Sequence, residues 1–382
     1  MITVGAAAAL LTACSTASGD TGSSNNAANA AHSTSPGLLR AKAAVTQFTA
    51  PATQIAPAAK LVSKAPTGKF IVYIENQTQT LLIDTGQQAA DAAKLLGWRI
   101  KFLNTDGSVA GEQQAWQQAI ALHPDGIITA DGVSVADLTA QIAAAKAAKI
   151  PVVIDSTTLP NGLQFPIVGG EGGQFVQDRQ AGSEAAWIAF NSDGHAHVGL
   201  ATIESIPVLK SYDALFTRLL KGYCPACTVT IINNAITDVG TNLPTHVVSV
   251  LQQQPEINYV ATDVGQFLEG VLPALHQAGL ASKVQIVGTN PSTEDLAAVK
   301  AGTESMWAGS NAEWYGWYSI DSLARYFTHS PLVTEAQAPA PIHILDKQDW
   351  ADKNSEGQPV DIATGVSYAE LVSQFKADWL LG

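Results

Sequence analysis

Trp98-Arg99-Ile100-Lys101-Phe102-Leu103 alternates in polarity and breaks at Asn104-Thr105-Asp106-Gly107, and the stretch it opens, residues 98–156, decides the fold. A helical segment follows with Gln113, Trp116, Ala119 and Ile120 spaced for one face, and it stops at His123-Pro124-Asp125-Gly126. Gly126-Ile127-Ile128-Thr129-Ala130 is a short apolar run ending at Asp131-Gly132. Asp137 opens an Ala-rich helix carrying Leu138, Ile142, Ala145 and Ala148, and Pro151-Val152-Val153-Ile154 then runs into Asp155-Ser156. Short continuous apolar strands alternating with helices of about a dozen residues read as βαβ units, hence a parallel sheet covered on both faces. Ligands of such sheets collect at the carboxyl ends of the strands. Here three successive strands end in polar residues: Asn104 to Asp106, Asp131, and Asp155-Ser156. The function is expected at that edge.

The pattern extends in both directions. Lys69 to Ile74 reads as the first core strand, followed by the polar loop Glu75 to Thr80 and a helix from Leu81 to Leu96. Phe165 to Gly170 reads as a strand leaving the first sheet, and a long helix covers Gln174 to Phe190. The unit then restarts. Strands are expected at His197–Ala201, Thr228–Asn233, Tyr259–Asp263 and Val284–Gly288, with helices over 208–221, 244–254 and 267–278. One α/β unit at 68–169 and a second at 170–290 imply two like domains with a cleft between them.

The totals bound the partners. A chain of 382 residues has room for two domains with sizeable cores. Its net charge of −13 argues against nucleic acid or an anionic membrane surface, which need a basic footprint.

Residues 1–14 form a short apolar run ending Leu10-Leu11-Thr12-Ala13-Cys14, too short to span a bilayer but suited to a signal peptide. Leu11-Thr12-Ala13-Cys14 resembles the lipobox of bacterial lipoproteins, which implies lipid attachment at Cys14; the Lys or Arg usual ahead of such a segment is missing. Acyl chains there would anchor the protein to the membrane. Residues 15–35 have almost nothing to bury and read as a flexible tether, and 36–67 as a lead-in with a short helix (Leu38 to Phe48) and an extended approach to the first strand.

Taken in order, Asp106-Gly107, the strand Gly126–Ala130 with Asp131, Ile150 to Asp155, Val287-Gly288 and Met306-Trp307-Ala308-Gly309-Ser310-Asn311 carry a resemblance. Residues 68–347 resemble the type I periplasmic (substrate-binding) proteins of ABC importers, the group of the ribose- and galactose-binding proteins. The resemblance implies two Rossmann-like α/β lobes with parallel sheets joined by a three-segment hinge. Crossings fall near Gly169-Gly170, near Asn311-Ala312, and in the run Pro331 to Pro341. The N-lobe is then 68–169 plus 312–335, and the C-lobe 170–311 plus 342–382, with the terminal helix Tyr368 to Leu381 and Trp379 as an added packing element.

Position by position, the family's ligand contacts fall on Asn76 or Gln79, on Asp131 and on Asp155. In the second lobe they fall on Lys210 or Tyr212, Thr237 or Asp238, Thr262 with Asp263, Asn290 and Asn311. Trp314 offers an aromatic face, as sugar sites require. Asp131 and Asp155 also fit as helix caps, Asn76 as a loop closure and Asn290 as the start of a turn. Ser156 stands where ribose-type members carry an Arg, and Leu81 and Leu82 where they carry aromatics. Both departures weigh against ribose-type specificity.

Cys224-Pro225-Ala226-Cys227 has redox-motif spacing, but in an exported protein it reads as a local Cys224–Cys227 disulfide. No Gly-x-Ser-x-Gly elbow, His-Glu-x-x-His motif or phosphate loop occurs, and the eight histidines are scattered. No metal or cofactor is expected. The sequence thus reads as a monomeric, extracytoplasmic, lipid-anchored solute receptor. It would bind a small polar ligand, a sugar by resemblance, and dock on an ABC permease. The alternative is a ligand-sensing subunit feeding a membrane signalling protein.

Overall fold

Strand β1 (Phe70–Asn76) shows how the first sheet is covered on both sides. Ile71 and Tyr73 enter one apolar cluster while Val72 and Ile74 enter another, the alternation that a pleated strand imposes. The computed structural model describes residues 35–50, 52, 55–77, 80–130, 132–155, 163–170, 174–309, 312–333, 341–346 and 366–382. Before β1 lies helix α1 (Pro36–Thr49), opened by Ser35, whose side chain accepts from Leu38 N.

The first sheet continues with α2 (Thr80–Leu95), β2 (Arg99–Thr105), α3 (Val109–Ala121), β3 (Gly126–Ala130), α4 (Thr139–Ala147), β4 (Val152–Ile154) and β5 (Ile167–Gly169). All its strands are parallel, in the order β2-β1-β3-β4-β5. Helix α3 is capped by the Ser108 side chain, which accepts from Gly111 N at 3.0 Å. Inside it, wholly buried Glu112 accepts from the Trp116 indole (2.7 Å) and from Thr129 of β3, so this acid is consumed by the core.

The chain then builds α5 (Gln174–Asn191), β6 (His197–Thr202), α6 (Pro207–Tyr223), β7 (Thr228–Asn233), α7 (Leu243–Gln253), β8 (Tyr259–Thr262), α8 (Val271–Gln277), β9 (Gln285–Thr289), α9 (Thr293–Ala301) and β10 (Met306–Gly309). The second sheet runs β11-β10-β9-β8-β6-β7, with β11 (His343–Asp346) antiparallel at one edge. Its five parallel strands repeat the order of the first sheet. Here too the faces alternate: Val198 and Leu200 enter one cluster, Ala201 the other. The helix expected over 267–278 is broken, because Gly270 at φ +80° separates a single 3-10 turn (Gly265–Leu268) from α8. Helix α9 is an addition to the sequence reading, nucleated by a capping box of Ser292 and Asp295.

Between β10 and β11 the chain returns to the first sheet as α10 (Ala312–Thr328). Gly316 lies where α10 crosses α2, and a Cβ there would stand 2.5 Å from Thr85 O and 2.6 Å from Ala89 N. The tail corrects an expectation. Helix α11 (Tyr368–Asp378), assigned from the sequence to the second lobe, buries Leu371, Phe375 and the adjoining Trp379 in the cluster of the first, with Trp379 stacked on Trp317 at 5.7 Å. In the lead-in the short helix expected over Leu38 to Phe48 forms as α1. Helix α1 places Leu38, Ala41 and Phe48 in the second sheet's cluster, whereas Ile55, Ala56 and Leu61 belong to the first. His343 Nε2 bonds Thr49 O at 3.0 Å, and the Gln374 side chain accepts from Ile55 N and Ala56 N. Lead-in and tail therefore add two further connections between the regions of the two sheets. The Cys14 region lies outside the described residues.

Candidate functional site

In the strand order 2-1-3-4-5, the connections leave the sheet in opposite directions on either side of the first strand, opening a crevice beyond the carboxyl ends. That switch point falls between β1 and β3 in the first sheet and between β6 and β8 in the second.

On the first sheet, Asn76 ends β1, is buried, and lies against the Gly107 turn; a Cβ on Gly107 would stand 2.5 Å from Asn76 Nδ2. Its neighbour Glu75 is pushed up to about 6 by burial and accepts from Gln77 Nε2 at 2.7 Å. Asp155, just past β4, is turned inward: Ser319 of α10 donates to its Oδ2 at 2.5 Å. It is only 1% exposed. Trp314 is fully buried, stacked on Tyr318 at 4.8 Å and set edge-on to Tyr315, so it belongs to the core and offers no free aromatic face. Gln79, Asp131 and Asn311 lie outside the described residues. An open groove of ≈ 270 Å³ between β2 and α3, lined by Asn104, Thr105, Asp106 and Gln114, lies at the edge strand instead of the switch point.

The second sheet gathers more of the expected residues. Thr262 ends β8 fully buried, and Asp263 follows it at 3% exposure. The backbone oxygen of Asp263 accepts from Thr289 Oγ1 (2.8 Å) and from Asn290 Nδ2 (2.9 Å), so the tips of β8 and β9 are tied together. Asn290 adopts φ +50°, a conformation Asn tolerates, and its Oδ1 accepts from Gln180 Nε2 at 2.8 Å. Tyr212 in α6 donates to Glu184 Oε2 of α5 at 2.7 Å. Its neighbour Asp213 accepts from Thr202 Oγ1 at the tip of β6 (3.0 Å). Asp238 stands apart from this group. It caps its own 3-10 turn, accepting from Ala235 N and Asn242 Nδ2, and these bonds lower its pKa.

Three acids therefore meet at the second switch point: Glu184, Asp213 and Asp263. Burial raises Glu184 and Asp263 to about 8 and Asp213 to about 6, and every charge acting on them is that of another acid. One oxygen of each (Glu184 Oε1, Asp213 Oδ1, Asp263 Oδ1) is buried without a hydrogen-bond partner. Sequence reasoning found Asp263 and Tyr212 but missed Glu184, Gln180 and Asp213. The available signal was a polar stripe, Gln177, Gln180 and Glu184, on one face of the otherwise Ala-rich α5.

Cys224 and Cys227 are joined by a disulfide that closes the turn between α6 and β7, and both are buried in the second core. Among the described residues no group of three or more His, Cys, Asp or Glu is placed to hold a metal ion, and no helix is long and apolar enough to cross a membrane.

Two doubly wound parallel sheets of the same strand order, with the chain passing from one to the other and back, define the type I periplasmic binding protein fold. The chain belongs to that family: a periplasmic binding protein domain matches residues 70–330. Solved structures agree on the fold. A 5-methylthioribose transporter solute binding protein from Thermotoga lettingae, in complex with 5-methylthioribose, is 17% identical with a TM-score of 0.65, covering 85% of this chain and 100% of that one. A glucose-galactose binding protein from Geobacillus stearothermophilus is 19% identical (TM-score 0.64; 74% and 99% covered), and a periplasmic ribose ABC transporter protein from Conexibacter woesei 18% identical (TM-score 0.63; 75% and 94% covered). No curated protein sequence matches the chain.

Proposed function

We propose that this protein is an extracytoplasmic receptor for a small, uncharged polar solute, a sugar before other classes. Its two sheets would close on the ligand and present the closed form to an ABC permease. The observation that carries this reading is Asp263: its Oδ1 is buried and unpartnered beside the second switch point, where the rules of the fold put a ligand. A sugar hydroxyl would satisfy that atom. Among the described residues no cation acts on Glu184 or Asp263, so the site offers an anionic ligand no countercharge, which favours a neutral polyhydroxylated molecule over an acid or a phosphate. The solutes named for the Thermotoga, Geobacillus and Conexibacter proteins are of that neutral class.

In this reading Asn76, Gln79, Asp131 and Asp155 form the first half of the site. Thr262, Asp263, Asn290, Asn311 and Tyr212 form the second, with Tyr212 as a support beneath the tip. Asp155 would have to release Ser319 to reach a ligand. No step of bond chemistry is assigned, and the protein acts by binding alone. The lipid anchor at Cys14, a monomeric state and the three-segment division of the lobes belong to the same proposal.

A thermal-shift screen of pentoses, hexoses, polyols, nucleosides and amino acids, run on wild type and Asp263→Asn, tests it. A sugar that raises the melting temperature of wild type and shifts the variant much less supports the reading. Stabilisation by amino acids or carboxylic acids, with none by sugars, would displace it.

A further inference from the structure

Gln177, Gln180 and Glu184 follow one another along α5 at i, i+3 and i+7, so they share one face of the helix. Each is buried, and each bonds a different part of the second sheet's carboxyl rim. Gln177 Nε2 donates to Val208 O in the first turn of α6 (2.9 Å), and Gln180 Nε2 to Asn290 Oδ1 past β9 (2.8 Å). Glu184 does more than either, because its carboxyl group takes the Tyr212 hydroxyl (2.7 Å) and also lies close enough to the backbone of Thr262 for that backbone to pull against the upward shift of its pKa. Asp263 is the next residue in the chain. One buried side chain on α5 thus bonds α6 and sits against the tip of β8.

We infer that Glu184 is a positioning residue of the ligand site, holding Tyr212 and the Thr262–Asp263 tip in fixed relation through its carboxyl group. The function proposed above supplies the ligand for this role, but the positioning itself is a property of the empty protein and is measurable there. Glu184 works as the protonated acid. Burial raises it to about 8, and the charges acting on it, Asp263 from the β8 tip and Asp213 from α6, both oppose its ionisation. Tyr212 of α6 is itself pushed well above its ordinary range. Helix α1 and strands β9 and β10 also touch α5 but add none of the charges that act on Glu184. Arg179, a cation of α5 itself, lies over the Phe48 ring of α1 at 5.4 Å. An ionised Glu184 would face two acids, with no cation among the charges of the described residues that act on it, and the tip beside it would be pushed away.

Hydrogen exchange of the full, unliganded chain tests this, comparing wild type, Glu184→Gln and Glu184→Ala from about pH 6 to about pH 9, with peptides over 259–264 and 207–216 corrected for intrinsic rates. Glutamine is the uncharged counterpart of the acid, so Glu184→Gln should keep wild-type protection, whereas Glu184→Ala should lose about tenfold in both peptides. In wild type, protection of 259–264 should fall as pH rises through about 8, and the fall should be smaller in Glu184→Gln. Asp263 titrates in both proteins, so the difference between the two profiles isolates Glu184. Wild-type exchange in the alanine variant, equal losses in both variants, or identical pH profiles for wild type and Glu184→Gln would overturn the inference. Should the alanine variant fail to fold, the comparison of pH profiles still decides. D-ribose, D-galactose, D-glucose and L-arabinose are then titrated against the same proteins. If none binds wild type, the receptor reading fails, while the exchange result stands or falls separately.

Discussion

Asp321 and Arg325 form a buried ion pair one turn apart on α10, each side chain only 1% exposed, with Arg325 Nε donating to Asp321 Oδ2. The pair also binds both ends of the chain. Arg325 donates to Ala59 O in the lead-in, and the Trp379 indole at the end of α11 donates to the other Asp321 oxygen at 2.8 Å. These contacts offset the burial of Asp321, whose carboxyl is pushed up by desolvation and held down chiefly by Arg325. Removing one partner strands the other charge. Asp321→Ala or Arg325→Ala should therefore lose about 3–5 kcal/mol in urea unfolding, and the double variant should lose less than the sum.

Trp379 has its own test. It is fully buried, stacked on Trp317 and tilted against Phe375 at 5.4 Å. Trp379→Ala should destabilise by about 3–5 kcal/mol, and exchange should rise first in peptides over 55–62, because Leu61 N bonds Asp378 O. Loss confined to second-sheet peptides would contradict the placement of the tail on the first.

Gly316 sets the approach of α10 to α2. Any Cβ there meets the α2 backbone at 2.5–2.6 Å, and backbone cannot yield as a flexible side chain can. Gly316→Val should destabilise by more than about 3 kcal/mol despite its better fit to a long helix, as a melting curve would report.

Stability should depend on pH with a sign opposite to that of a protein rich in buried ion pairs. Glu184 and Asp263 have ordinary values of 4.5 and 3.8 and are raised to about 8 in the folded protein. Between those limits the folded state holds protons that the unfolded state has released, so stability falls as pH rises. Their contribution is complete at about pH 4 and exhausted above about pH 8. Urea midpoints should decline from about pH 5 to about pH 8, and the double variant Glu184→Gln, Asp263→Asn should decline less. A rising midpoint over that range would contradict the assignment.

The disulfide should matter to stability alone. It closes a short turn at the amino-terminal end of β7, the end opposite the strand tips, so Cys224→Ser with Cys227→Ser should lose about 2 kcal/mol or less and leave ligand affinity unchanged. A loss of affinity on mild reduction would reopen the redox reading.

Much of the fold was legible because buried parallel strands announce themselves: Ile71–Ile74, Ile127–Ala130 and Val152–Ile154 are almost wholly apolar and buried on both faces, and only a doubly covered sheet accepts that. What a sequence lacks is an address for an apolar face. Leu371, Phe375 and Trp379 mark α11 as amphipathic, yet nothing in their spacing says which sheet they cover, and the tail was assigned to the wrong one. Trp314 failed for a related reason, since an aromatic residue at helical spacing looks the same whether it meets a ligand or, as here, Tyr318. At the site, strand ends were easy to find, as Thr262, Asp263 and Asn290 show. Their supports were not, because Glu184 and Gln180 come from a helix whose register against the sheet only the folded chain reveals.

Closure of two like halves on a neutral solute is tested most directly by small-angle scattering of the protein in solution. Once a sugar that raises the melting temperature is in hand, saturating amounts should lower the radius of gyration of wild type and leave Asp263→Asn unchanged. A sugar that binds wild type tightly with no change in the scattering curve would contradict the account.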